Sequence, residues 1–142
     1  LPWLILAVVI AYLSMDEMLE LHERVGVAVA HSLNFSDKIT FPWVVTGLTF
    51  TVVVALSFLG FLRRLPRRTA KLFILAGGIY VGGALGVEVI ESLTVSKFGM
   101  GALFHIEVMV EECMEMFGQA LFAYALLDHL AQKRAVLRLW DH

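Results

Sequence analysis

Charge is scarce in this sequence. Only 17% of its 142 residues are Asp, Glu, Lys or Arg, against 59% hydrophobic residues and a mean hydropathy of +0.80. Soluble domains carry about a quarter charged residues, so a water-soluble fold would lack the polar surface to cover itself. Cysteine is nearly absent, and the single Cys113 excludes an internal disulfide while leaving the redox compartment open. No P-loop, dinucleotide fingerprint, His-Glu-x-x-His pair or nucleophile elbow occurs, which sets aside nucleotide-dependent and hydrolase classes. The basic residues are few and localised, so no nucleic-acid partner is expected.

What is present are four long apolar stretches, over residues 1–30, 41–62, 69–93 and 100–130. A bilayer core needs roughly 20 apolar residues per helix, so each predicts one transmembrane helix. The connections contain Asn34, Ser36 and Asp37; then Arg63-Arg64-Leu65-Pro66-Arg67-Arg68; then Ser96, Lys97 and Gly99. Pro66 cannot continue a helix. Arg63, Arg64, Arg67, Arg68 and Lys71 crowd the middle connection, and Lys133, Arg134 and Arg138 follow the last stretch. The positive-inside rule places both groups in the cytoplasm. The expected fold is therefore an all-α integral membrane four-helix bundle, one domain, with both termini cytoplasmic. Trp3, Trp43 and Trp140 then fall near the membrane interfaces, as an aromatic belt would.

Ten of the thirteen acidic residues lie in three segments: Asp16, Glu17, Glu20 and Glu23; Glu88 and Glu91; Glu107, Glu111, Glu112 and Glu115. At a helical rise of about 1.5 Å per residue, Glu20, Glu88 and Glu115 all stand roughly 27 Å from the cytoplasmic edge. The acids thus share one level, at the periplasmic or exterior border of the hydrocarbon. Asp16, Glu20 and Glu23 follow i, i+4, i+7 spacing, with Tyr12 one turn deeper. Gly77, Ala84, Glu88 and Glu91 share a stripe, with Tyr80 below the acids. On the last span His105, Met109, Glu112 and Met116 form one face, and Glu107, Glu111 and Glu115 a second. Gly78, Gly82 and Gly86 allow close helix approach.

Ionisable groups at membrane depth are costly unless paired, hydrated or bound. With Arg24 the one nearby arginine, shared protons or bound metal must neutralise the remaining carboxylates. Metal binding neutralises several at once and accounts for the recurrence of histidine. The candidate ligands are Asp16, Glu20, Glu23, Glu88, Glu91, His105, Glu112 and Glu115, with Glu17, His22 and Glu111 behind them. His22 falls off the Asp16 face, towards Met15 and Leu19. Glu107 is expected to be interfacial and exposed, Arg24 to neutralise a carboxylate, and His31, His129 and His142 to be solvated. All six methionines (Met15, Met18, Met100, Met109, Met114, Met116) and Cys113 lie in or beside the acidic segments. Carboxylate and imidazole select iron, manganese or zinc, and soft sulfur selects copper. Carboxylates outnumber sulfur here, so the first three metals lead and copper follows.

Facing helices that present carboxylates and histidines resemble the di-iron or di-manganese carboxylate bundles of the ferritin-like type. The pairs here are Glu17-x-x-Glu20, Glu88-x-x-Glu91 and Glu112-x-x-Glu115, in place of that family's Glu-x-x-His, and the second span supplies no ligand. Asp16-Glu17…His22-Glu23 and Glu111-Glu112…Glu115 are similar to motifs of small bacterial four-span membrane proteins, which implies a bacterial inner (plasma) membrane location and no particular activity. The resulting expectation is a membrane-embedded metal-binding protein with a carboxylate-rich dinuclear site near the outer face, of oxidative type if it is an enzyme. Two alternatives are a cation or proton transport protein and an accessory subunit of a larger membrane complex. With only four spans, a homo-oligomer or other membrane subunits are the expected partners besides the lipid bilayer.

Overall fold

The computed structural model describes the backbone of residues 1–19, 21–32 and 43–140, with side chains at all of these except 17, 23, 27, 30, 31, 43 and 135–140. The connection holding Asn34, Ser36 and Asp37 lies outside the described residues. The described chain is helical: α1 (Pro2–Leu19), α2 (Leu21–Ser32), α3 (Trp43–Leu62), α4 (Arg67–Val81), a π-helical turn (Gly82–Val87), α5 (Glu88–Phe98) and α6 (Ala102–Trp140). Two stretches, Val44–Leu62 and Arg67–Phe98, are long and apolar enough to cross a membrane.

Local chemistry sets the element ends. At the end of α3, Arg64 and Leu65 donate to the Phe61 and Leu62 carbonyls (3.0 and 3.2 Å), tightening the last turn. Pro66 then stops the ladder, and its own carbonyl accepts from Ala70 (2.9 Å) to start α4. Gly99, at φ +74°, ends α5 in a conformation that glycine adopts without a Cβ penalty. Helix α6 begins three residues later. The α4, π-turn and α5 segments run on without interruption, five residues beyond the expected 69–93 stretch.

The helices pack at few but close points. A Cβ added to Gly118 would lie 2.8 Å from the Tyr80 nitrogen and 2.9 Å from the Ala76 carbonyl oxygen, so α6 rests directly on the α4 backbone. Beside this contact Phe73 meets Phe122 (ring centroids 4.6 Å), and Ala76 and Ala125 are buried. Trp3 of α1 lies edge-on to Phe61 of α3 (4.9 Å) and Phe73 of α4 (6.4 Å) and stacks on His129 of α6 (5.3 Å). His129, expected to be solvated, is instead 5% exposed. The indole covers it, and Thr69 meets its Nδ1 (3.4 Å). Position near the end of a span misplaced it, because the covering ring comes from the other end of the sequence.

The apolar surface faces outward. Only 6% of the Val44–Leu62 window is buried within the chain. Leu48, Val53, Leu56, Ile74, Leu75, Leu93 and Leu127 are all more than half exposed. In a soluble protein of this size such residues would form the core. Here the interior is small and holds Glu88, Glu91, Thr94 and Glu115.

Candidate functional site

The acidic segments come together through two backbone features. The π-helical turn Gly82–Val87 immediately precedes Glu88, and such turns concentrate at functional sites. Within it, a Cβ on Gly83 would lie 3.0 Å from the Glu111 carbonyl oxygen and 3.3 Å from Glu115 Cγ. The missing side chain therefore lets α6 approach at its acidic turn. As a result Glu88, Glu91 and Glu115 are 5%, 3% and 9% exposed, and Glu107 and Glu111 are half-buried.

These groups form a connected set. Glu91 and Glu111 lie near enough to interact, Glu107 stands near Glu91, and Glu88 and Glu115 lie close enough to act electrostatically on Glu111. Thr94 donates to Glu107 Oε1 at 2.8 Å. Glu91 Oε1 and Glu107 Oε2 are buried without a hydrogen-bond partner among the described residues. No basic side chain among the described residues pairs with Glu91, Glu107 or Glu111; the ion pairs there are His22–Asp16 and Arg68–Asp128. Neighbouring carboxylates repel one another unless a proton or a cation offsets their charge.

A cavity of about 410 Å³ opens beside this set. Asp16 and His22 line it from α1 and α2, and Glu111, Glu112 and Glu115 from α6. Tyr12, Thr46, Thr51 and Tyr80 supply hydroxyls to its wall. The Asp16 carboxylate accepts from the His22 backbone N–H (2.8 Å) and meets its Nδ1 at 2.9 Å. This places a negative charge at the start of α2, where the helix dipole favours it. His22 thereby faces Asp16, contrary to the expectation that it lies off that face. That expectation assumed an unbroken main-chain ladder through residue 22, whereas the His22 N–H is taken by a side chain.

Three further placements differ from expectation. Glu107, expected to be exposed at the interface, is half-buried against Thr94. His105 is exposed and outside the cavity, and its ring packs against Phe104 (5.6 Å). Gly77 is exposed, and Ala76 is buried in its place. A π-turn carries an extra residue, so one 100° register does not run through Gly77, Ala84 and Glu88. Arg24 is exposed and forms no ion pair among the described residues. Glu20 lies outside the described residues, as do the Glu17 and Glu23 side chains. Sequence reasoning missed Thr94 altogether; its i+3 spacing from Glu91 was the available signal.

The sulfur groups face elsewhere. Met15, Met18, Met100, Met109 and Met116 are more than half exposed, and Cys113 is exposed as well. Among the described residues no group of three or more His, Cys, Asp or Glu side chains is placed to hold a metal ion. Comparison with curated proteins and with solved structures finds no match. Comparison with protein families does, over a region holding every acidic segment described above. The chain belongs to the family described as a domain of unknown function, DUF8692, which matches residues 1–130.

Proposed function

We propose that this protein is an integral membrane four-helix bundle, both termini cytoplasmic, that binds cations at the carboxylates near the outer end of its helices. Iron, manganese or zinc, held at a dinuclear site, leads. The observation that carries this reading is the burial of Glu88, Glu91 and Glu115 in one cluster with Glu107, with unpartnered oxygens on Glu91 and Glu107. Carboxylates in an apolar helix pair need neutralising, and a divalent ion shared between helices does this for several at once. Outward apolar side chains on α3, α4 and α5 support the membrane setting. The hard oxygen donors of the cavity, separate from the exposed methionines, favour these metals over copper. The proposed ligands come from Glu88, Glu91, Glu111 and Glu115, with Glu112 and Asp16 on the cavity wall and Glu20 and Glu23 added from their sequence spacing alone.

Elemental analysis of protein purified in mild detergent without chelator tests this. About two equivalents of iron, manganese or zinc per chain support a dinuclear site. Glu111→Ala and Glu91→Ala should each lose that metal, whereas His105→Ala should keep it. Metal at background level in the wild-type protein refutes the reading. One observation favours a second reading in that event: Glu91 and Glu111 lie near enough to interact, and no three-ligand group occurs among the described residues. The pair then shares a proton, and proton flux in liposomes becomes the measurement.

A further inference from the structure

The opposite end of the molecule carries a charge imbalance of the other sign. Arg63, Arg64, Arg67, Lys71, Lys133 and Arg134 are all exposed, and none forms an ion pair among the described residues. They come from chain regions some 60 residues apart, and specific contacts hold those regions together. Arg68 Nε reaches Asp128 at 3.0 Å and its guanidinium donates to the Tyr124 hydroxyl at 3.3 Å, fixing the start of α4 against α6. Gln132 donates to the same Asp128 carboxylate at 2.7 Å. Trp3 bridges Phe61, at the end of α3, to α6, where Lys133 Nζ lies 5.9 Å from its ring centroid. The one acid in this contact set, Asp128, is engaged by Arg68, so the remaining cations have no ion-pair partner among the described residues.

We propose that this end of the bundle is a binding site for anionic phospholipid headgroups, seated between the α3–α4 turn and the last turns of α6. The proposal rests on the membrane-spanning reading above. Unneutralised guanidinium groups offer the bidentate donors that phosphate oxygens accept. Trp3 supplies an amphipathic ring at the level where headgroups meet acyl chains. Topology alone would need the charges but not their convergence around a docked Arg68. Each Lys or Arg near an anionic surface contributes about 1 kcal/mol, a factor of about five in affinity.

Native mass spectrometry of the full chain in mild detergent, titrated with phosphatidylglycerol or phosphatidylcholine, tests the site. Phosphatidylglycerol should be retained preferentially. The triple variant Arg63→Gln/Arg64→Gln/Arg67→Gln should bind it on the order of a hundred-fold more weakly. Lys133→Gln, which leaves the turn intact, should bind about five-fold more weakly. Equal retention of the two lipids, or unchanged affinity in both variants, overturns the proposal. So does competition by inorganic phosphate at the same concentration as the lipid, which would make the site one for the free anion. Release of the chain from membranes by alkaline carbonate would overturn the spanning reading as well. A chain that resists extraction but does not discriminate between the lipids fails this inference alone.

Discussion

Replacing Gly118 by alanine should destabilise the protein, although alanine is the better helix former. An added Cβ there would meet the Tyr80 nitrogen at 2.8 Å, and the Ala76 carbonyl oxygen and Tyr80 Cβ at 2.9 Å each. Two of these atoms are backbone, so no rotamer change relieves the contact. Helix α6 must withdraw by about half an ångström, and a gap of that size forfeits about a quarter of the dispersion energy of the atoms beside it. The affected contacts include Phe73 on Phe122 and the buried Ala76 and Ala125. Overpacking costs about 1–3 kcal/mol, and a backbone clash belongs at the top of that range. Alanine's helix propensity returns about 1 kcal/mol. The net loss is therefore about 2 kcal/mol. Gly78 is the internal control: nothing lies within 4 Å of a Cβ there. Gly78→Ala should be neutral or stabilising by up to about 1 kcal/mol. Thermal melts in mild detergent, followed by circular dichroism, should place Gly118→Ala below wild type and Gly78→Ala at or above it. Two variants melting together would refute the close α4–α6 crossing.

Thr94→Val keeps shape but removes the donor to Glu107 Oε1, on a carboxyl whose other oxygen is buried and unpartnered. The same melt should show a loss of about 1–3 kcal/mol; no change would mean that Glu107 finds another donor at once. Asp16→Asn removes the charge that caps α2 through the His22 N–H. It should cost about 1 kcal/mol, felt locally. Hydrogen exchange should quicken at the amides of residues 22–24 while α4 and α6 keep their protection. Equal loss of protection in α6 would count against a local capping role.

Fold class was the most legible property. Apolar runs with few charges predict long helices, and the turns at Pro66 and Gly99 fall where residue chemistry puts them. Element boundaries outran the apolar stretches: α6 continues to Trp140 because a helix need not stop where its greasy residues do. The acids were visible as a set, yet their directions were not. Two stripes compete on α6, and the expected ligands drew His105 and Glu112 from one and Glu115 from the other, with Glu111 behind them. The interior takes the stripe of Glu107, Glu111 and Glu115. His129 and Trp3 were invisible as partners, since nothing local to either residue pairs them.

The choice between the two stripes has a physical cause that was written in the sequence. Glu107, Glu111, Glu115, Gly118, Phe122, Ala125 and His129 recur at intervals of three and four, tracing one continuous face of α6. The lower half of that face is committed to the bundle by Gly118 against the α4 backbone and by Phe122 on Phe73. A straight helix cannot turn its upper half away from the face its lower half presents. Once Gly118 is docked, Glu111 and Glu115 must therefore point at the chain that follows α4. Gly83 in the π-turn meets them there without a side chain to hold them off. His105 and Met116, roughly a third of a turn away, are left outside for the same reason. The acids are buried because small residues at Gly118 and Gly83 set the rotation of α6, which leaves neutralising their charge to a bound proton or cation.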